Sequence, residues 1–214
     1  MDNKSNSRRP IASRDSAWAK RLAAYLAQKN VSPNFVSILS IAFAALAFAA
    51  FYLDPVLPQY HIVWMILAIA GIQLRLVMNL LDGMVAVEHN KKSAVGGLFN
   101  EVPDRIADTL IICGVYYEIR LLDYAIPLVY WAVILSITTA YIRTLGASLQ
   151  CGHHFLGPMA KQHRMALLIV ACVIGIFYPP VFYYAMIIMN IGLVLTCYRR
   201  LVTVAAVLKA PSKP

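Results

Sequence analysis

Residues 79–108 read NLLDGMVAVEHNKKSAVGGLFNEVPDRIAD. The segment lies between two long apolar runs, yet Asp82, Glu88, Glu101, Asp104 and Asp108 are half of the ten acidic residues in the chain. Ionisable groups near membrane depth are expensive, and by default they mark a functional site. Asn79, Asp82, Gly83 and Ala86 fall at i, i+3, i+4 and i+7, one face of a helix. Two of these offer oxygens and two are small, so something bulky can approach that face. Gly96, Asn100, Asp104 and Asp108 recur at every fourth position. Each such step turns about 40° at about 3.6 residues per turn, which gives a slowly winding stripe. Two oxygen-bearing stripes near one membrane surface suit a hard cation such as Mg²⁺, which prefers carboxylates and substrate phosphates.

Composition sets the class. Of 214 residues, 60% are hydrophobic and 14% charged, against about 45–50% and about 25% in ordinary soluble domains. The chain reads as an all-α integral membrane protein with one membrane domain. Its net charge of +9 flanks the apolar runs and is not a nucleic-acid signature, so no nucleic-acid partner is expected. The four cysteines include no CxxC pair, and Cys113, Cys172 and Cys197 read as small apolar fillers. The first apolar run begins beyond residue 34 and is too long for a signal-peptide core, so no cleaved leader is expected.

Taken in order, residues 1–14 are polar, basic and expected to be disordered. Residues 15–31 form an amphipathic helix, with Trp18, Leu22, Tyr25 and Leu26 on one face, that fits the membrane interface and its anionic lipids. Packing against the domain is the other reading of that helix. Residues 32–209 hold six expected transmembrane helices, over roughly 34–53, 60–82, 96–117, 124–146, 161–178 and 181–198. Arg75 lies inside the second and reads as the partner of a buried carboxylate, or else as a phosphate contact. The adjacent His153 and His154 read as ordinary loop residues. Basic residues crowd the segment before the first span, the segment between the second and third, the start of the fifth and the tail. The opposite loops hold only Arg120. The expectation is a multi-pass protein of the cell inner (cytoplasmic) membrane, with both termini and the acidic segment cytoplasmic.

The acidic segment resembles the signature of the CDP-alcohol phosphatidyltransferase family, D-x2-D-G-x2-A-R-x8-G-x3-D-x3-D. Here it stands as Asn79-x2-Asp82-Gly83-x2-Ala86-Val87-x8-Gly96-x3-Asn100-x3-Asp104, with both spacers at the family length. Asn79 and Asn100 replace the first and third aspartates, and Val87 replaces arginine. The resemblance extends to the six-helix layout and the amphipathic N-terminal helix, and it implies a homodimer.

What the resemblance implies is transfer of a phosphatidyl or similar phosphoalcohol group from a CDP-linked lipid donor to an acceptor hydroxyl. CMP is released, in phospholipid biosynthesis. The cofactor would be one or two Mg²⁺ (or Mn²⁺) ions. Carried over by position, the metal set is Asn79, Asp82, Asn100 and Asp104, with Asp108 extending the stripe by one turn and able to compensate for the missing negative charge. Asp104 would be the catalytic base. Gly83, Ala86 and Gly96 would let cytidine and pyrophosphate approach the backbone. Val87 has no charge to offer where the family has arginine, and Lys91, Lys92 or Arg75 could supply it instead. Lys161 and Arg164 share a helix face near the cytoplasmic interface, either as anchors or as an anion pocket for substrate phosphate. The competing reading is a non-catalytic relative or small transporter, whose acidic patch binds a cation or lipid headgroup without turnover.

Overall fold

A computed structural model describes residues 16–88 and 94–210. The expected disordered segment 1–14 and both Lys91 and Lys92 lie outside the described residues. Among those described there are seven α-helices and no strand. They are α1 (Ala17–Gln28), α2 (Pro33–Leu53), α3 (His61–Glu88), α4 (Gly96–Ile119), α5 (Ala125–Ser148), α6 (Lys161–Gly175) and α7 (Val181–Lys209). The loop between α2 and α3 contains a single 3₁₀ turn, Pro58–Tyr60.

Local chemistry explains the boundaries. Ser32 caps α2 by accepting from the Phe35 amide at 3.1 Å, and Pro33 at the first helical position lacks only an N–H that would be unpaired there. The α2–α3 loop is closed by His61, whose Nδ1 lies 2.8 and 2.9 Å from the two Asp54 carboxylate oxygens. The α6–α7 turn, at Pro179-Pro180, follows a helix that stops at Gly175, earlier than the sequence pattern suggests.

Four helical stretches, Pro33–Leu53, Pro58–Val87, Ala125–Ser148 and Val181–Lys209, are long and apolar enough to cross a membrane. They make the chain a multi-pass membrane protein. The expectation of six spans is therefore met only in part, for two different physical reasons. Helix α4 carries Glu101, Asp104, Arg105, Asp108 and Glu118, which breaks its apolar run. Helix α6 has 15 residues, and at about 1.5 Å each it reaches roughly 22 Å, short of the roughly 30 Å hydrocarbon core.

Helix α2 packs extensively on α3 and α4, α5 on α7 and α4, and α6 on α3 and α7. The core between them includes Phe51, Ile72, Ile111, Ile112, Met165, Leu168 and Phe182, while Ile66, Ile134, Val170, Ile188 and Ile191 are exposed on the outside. Helix α1 buries Ala19 and Ala23 in a separate small cluster with Leu81, Met84 and Val85 of α3, leaving Trp18 and Tyr25 exposed. Leu22 and Leu26 pack half-buried against the same cluster, and the two fully buried alanines let α1 lie close to α3.

The α2–α3 pair approaches just as closely at Gly71. A Cβ there would stand 2.7 Å from the Phe43 carbonyl oxygen and 2.8 Å from the Ala47 nitrogen. Backbone cannot yield as a side-chain tip can. Gly71→Val is therefore expected to destabilise the bundle by about 1–3 kcal/mol, read as a lowered melting temperature in detergent. Gly83→Ala is the control, because its Cβ would meet nothing within 4 Å. Equal melting of the two variants would mean that α2 and α3 do not pack this tightly.

Candidate functional site

All seven helices contribute to a cavity of about 680 Å³ at one end of the bundle. Its lining includes Ser37 of α2; Asn79, Asp82, Gly83, Ala86 and Val87 of α3; Gly96, Asn100, Glu101 and Asp104 of α4; and Lys161 and Arg164 of α6. The volume is in the range of small-ligand sites. Every site residue expected from the sequence lines this cavity except Asp108.

Asp108 stands behind it, 2% exposed. One of its oxygens accepts from Arg75 at 2.6 Å and the other from Arg164 at 2.7 Å. It is a bridge between α3 and α6 rather than a cavity wall. Arg75 is fully buried and also donates to Asp104 Oδ1 at 3.1 Å. It does not line the cavity, and its side-chain contacts with Asp104 and Asp108 match the reading of a partner for buried carboxylates.

Asp104 is the hub. Its Oδ1 accepts from both Arg75 and the Asn79 amide nitrogen, the latter at 2.8 Å. Its Oδ2 accepts from the Lys161 ammonium at 2.5 Å. Lys161 also donates to the Asn79 side-chain oxygen. These partners fix the orientation of the Asn79 amide: nitrogen toward a carboxylate, oxygen toward an ammonium. Lys161 and Arg164 sit in the first turn of α6, where a cation opposes the helix dipole. The carboxylates of α4 hold them there.

Asp82 differs from its neighbours. It is 4% exposed, and its Oδ2 accepts from Ser37 Oγ at 2.6 Å. Its Oδ1 has no hydrogen-bond partner. Among the three aspartates of the cluster, Asp82 Oδ1 is the one carboxylate oxygen left unpaired, since both oxygens of Asp104 and of Asp108 are taken.

That leaves the question of a metal. Among the described residues no three His, Cys, Asp or Glu side chains gather as a metal site. Mg²⁺ and Mn²⁺ do not require such a group, since they accept amide, water and substrate phosphate oxygens beside one or two carboxylates. Asp82 Oδ1, unpaired in the cavity wall that also carries Asn79 and Asn100, fits one such ion.

Sequence reasoning missed Ser37, although a serine in an otherwise apolar helix was a usable signal. It also missed the basic and aromatic end of the cavity. There Arg143 donates to both oxygens of Glu101 at 2.6 Å and lies 5.5 Å from the centre of the Phe155 ring. His153, in the loop before α6, stacks beside Phe155 and also lines the cavity.

Comparison with known proteins gives this site its class. The profile of the CDP-alcohol phosphatidyltransferase family matches residues 30–198. The chain belongs to that family, whose enzymes pass a phosphatidyl or related group from a CDP-linked donor to an acceptor in phospholipid synthesis. No curated protein matches it by sequence. Solved structures of phosphatidylinositol phosphate synthase from Mycobacterium tuberculosis share its fold. One, with CDP-DAG bound, superposes with a TM-score of 0.72 at 20% identity, covering 92% of this chain and 96% of that one. A second, in complex with manganese and citrate, has a TM-score of 0.70 at 20% identity and covers 91% and 90%. The apo form also has a TM-score of 0.70 at 20% identity, covering 91% and 100%.

The charge balance yields a test. Breaking a buried ion pair by removing one partner typically costs about 3–5 kcal/mol. Arg75→Met is expected to lose stability on that scale, because it strips a cation from both Asp104 and Asp108. Adding Asp108→Asn should recover part of the loss. Denaturant unfolding of both variants in detergent checks this, and an Arg75→Met protein as stable as wild type would overturn the pairing.

Proposed function

We propose that this chain is an active transferase in which Asp82 anchors the divalent metal and Asp104 is the general base. The observation that carries the reading is the one cavity joining Asn79, Asp82, Gly83, Ala86, Gly96, Asn100 and Asp104. Oxygen donors there face small residues, as a nucleotide pyrophosphate and a cation require. The donor is a CDP-linked lipid and the acceptor a hydroxyl compound.

In the reaction, the acceptor oxygen bonds to the phosphorus that carries the lipid. The anhydride P–O bond breaks, CMP leaves with the electron pair, and the hydroxyl proton passes to Asp104. A carboxylate has about four lone-pair sites, so Asp104 Oδ2 keeps acceptor capacity beside its Lys161 bond. Magnesium or manganese, held by Asp82 with Asn79 and Asn100 as neutral ligands, would supply charge neutralisation at the pyrophosphate. Lys161, and Arg164 at the cavity edge, add positive charge facing the anionic substrate. Arg164 is the less available of the two, because it is tied to Asp108 and to the Met159 carbonyl.

The same reading covers the membrane arrangement. Helices α2–α7 all lie within the bilayer, α6 reaching part of the way across, with the charged half of α4 and the start of α6 shielded by one another through their ion pairs. Residues 32–209 form the membrane domain. Helix α1 lies along the cytoplasmic surface on anionic lipid, both termini and the cavity face the cytoplasm, and the chain works as a homodimer.

CMP release from CDP-diacylglycerol, across a panel of hydroxyl acceptors with Mg²⁺ or Mn²⁺, is the test. Asp82→Asn or Asp104→Asn is expected to lower turnover at least ~10²-fold, the scale of losing one well-placed electrostatic or acid–base group. Asp82→Asn should keep its melting temperature, because an amide oxygen can accept the Ser37 hydrogen bond in its place. Full turnover by Asp82→Asn, or in EDTA, defeats the metal assignment. A silent wild type that Asn79→Asp or Asn100→Asp switches on would make the protein a non-catalytic relative.

A further inference from the structure

The cavity already contains one cation site that is filled, by the protein itself. The Lys161 ammonium is cradled by the Asn79 side-chain oxygen and Asp104 Oδ2, and the lysine side chain is only 17% exposed. Two oxygen donors from two helices around a positive charge are what a bound metal would have. The amide at position 79 is matched to this arrangement. It accepts from Lys161 and donates to Asp104 at once, which a carboxylate there could not do, having no hydrogen to donate. An aspartate at 79 would instead repel Asp104.

The ion pairs agree. Asp104 already faces Arg75, Lys161 and Arg105, and Asp108 faces Arg75 and Arg164, so both carboxylates are compensated with no metal present, whereas Asp82 meets the neutral Ser37 hydroxyl. A pyrophosphate diester brings about two negative charges, and one divalent ion balances them. A second such ion would leave the buried cluster with uncompensated positive charge, a state of high cost away from water.

We propose that Lys161 is the resident cation of the Asn79–Asp104 half of the cavity, so that the site takes a single exchangeable divalent ion, on Asp82. This rests on the transferase reading above and deepens it. Lys161 acts here as a fixed charge beside the reacting phosphate, and the exchangeable ion sits at the only carboxylate oxygen of the cluster without a partner.

Manganese titration of the purified protein, counting bound ions by the loss of the free Mn²⁺ electron-paramagnetic signal, tests it without any turnover. Wild type should bind about one Mn²⁺ per chain, and Lys161→Met combined with Asn79→Asp about two, since that pair removes the resident cation and restores a carboxylate ligand. Lys161→Gln with Asn79→Asp serves as a second version should the first fail to fold. Asp82→Asn in the wild-type background should abolish binding. Two ions in wild type that still releases CMP would overturn the inference and spare the function. The same holds if both folded double variants bind one ion. No bound ion together with no CMP release would overturn both.

Discussion

A fully buried arginine is the constraint on which the rest of the structure depends. Arg75 lies in the middle of α3, an apolar helix of 28 residues, with no exposure to solvent. Such a charge is tolerable only beside a carboxylate with good geometry. Its partners sit one helical turn apart on α4, at Asp104 and Asp108. Those carboxylates in turn hold Lys161 and Arg164 at the start of α6. One charge on α3 thereby fixes the register of α4 and α6, and with it the shape of the cavity. Ion pairs buried this way supply specificity more readily than stability, because each charge has been taken out of water.

Much of the cavity was legible from spacing alone, and the failure at Asp108 shows where spacing stops. Helical periodicity correctly grouped Asn79, Asp82, Gly83 and Ala86, and it put Gly96, Asn100 and Asp104 on the facing stripe. That stripe winds by about 40° at each four-residue step. From Asn100 to Asp108 it has turned about 80°, enough to carry Asp108 out of the cavity and into the α3–α6 interface. The count of spans suffered from the same cause. The charges that build the site also interrupt α4, and hydropathy cannot tell a helix shielded by its neighbours from one that stays out of the membrane. Pairing at long range was not visible at all. Lys161 and Arg164 share a face by their spacing, but nothing in the sequence assigns one to Asp104 and the other to Asp108.

The departures from the family signature are coherent once the neighbouring groups are known. Asn79 replaces a carboxylate where Lys161 supplies a positive charge, and its amide satisfies both Lys161 and Asp104. Val87 replaces an arginine beside a cavity already lined by Lys161, Arg143, Arg164 and Arg200. Two negative charges and one positive charge are absent relative to the signature, so the departures offset one another only in part.

The ion network also separates what can be changed from what cannot. Asp82 meets α2 through Ser37, and its other oxygen is unpaired. Its burial is a cost that no cation of the cluster offsets by an ion pair, and groups of that kind concentrate at functional sites. Asp108 is the reverse: both oxygens are spent on arginines of different helices, and it does not line the cavity. Asp104 does both jobs, facing the cavity while joining α4 to α3 and α6. A residue so placed couples substrate to scaffold. Any anion entering the cavity competes with Asp104 for Lys161, and any shift of α6 moves the ammonium away from that carboxylate. Helix packing and the cavity wall are therefore joined through one carboxylate, and the position of α6 sets the charge at that wall.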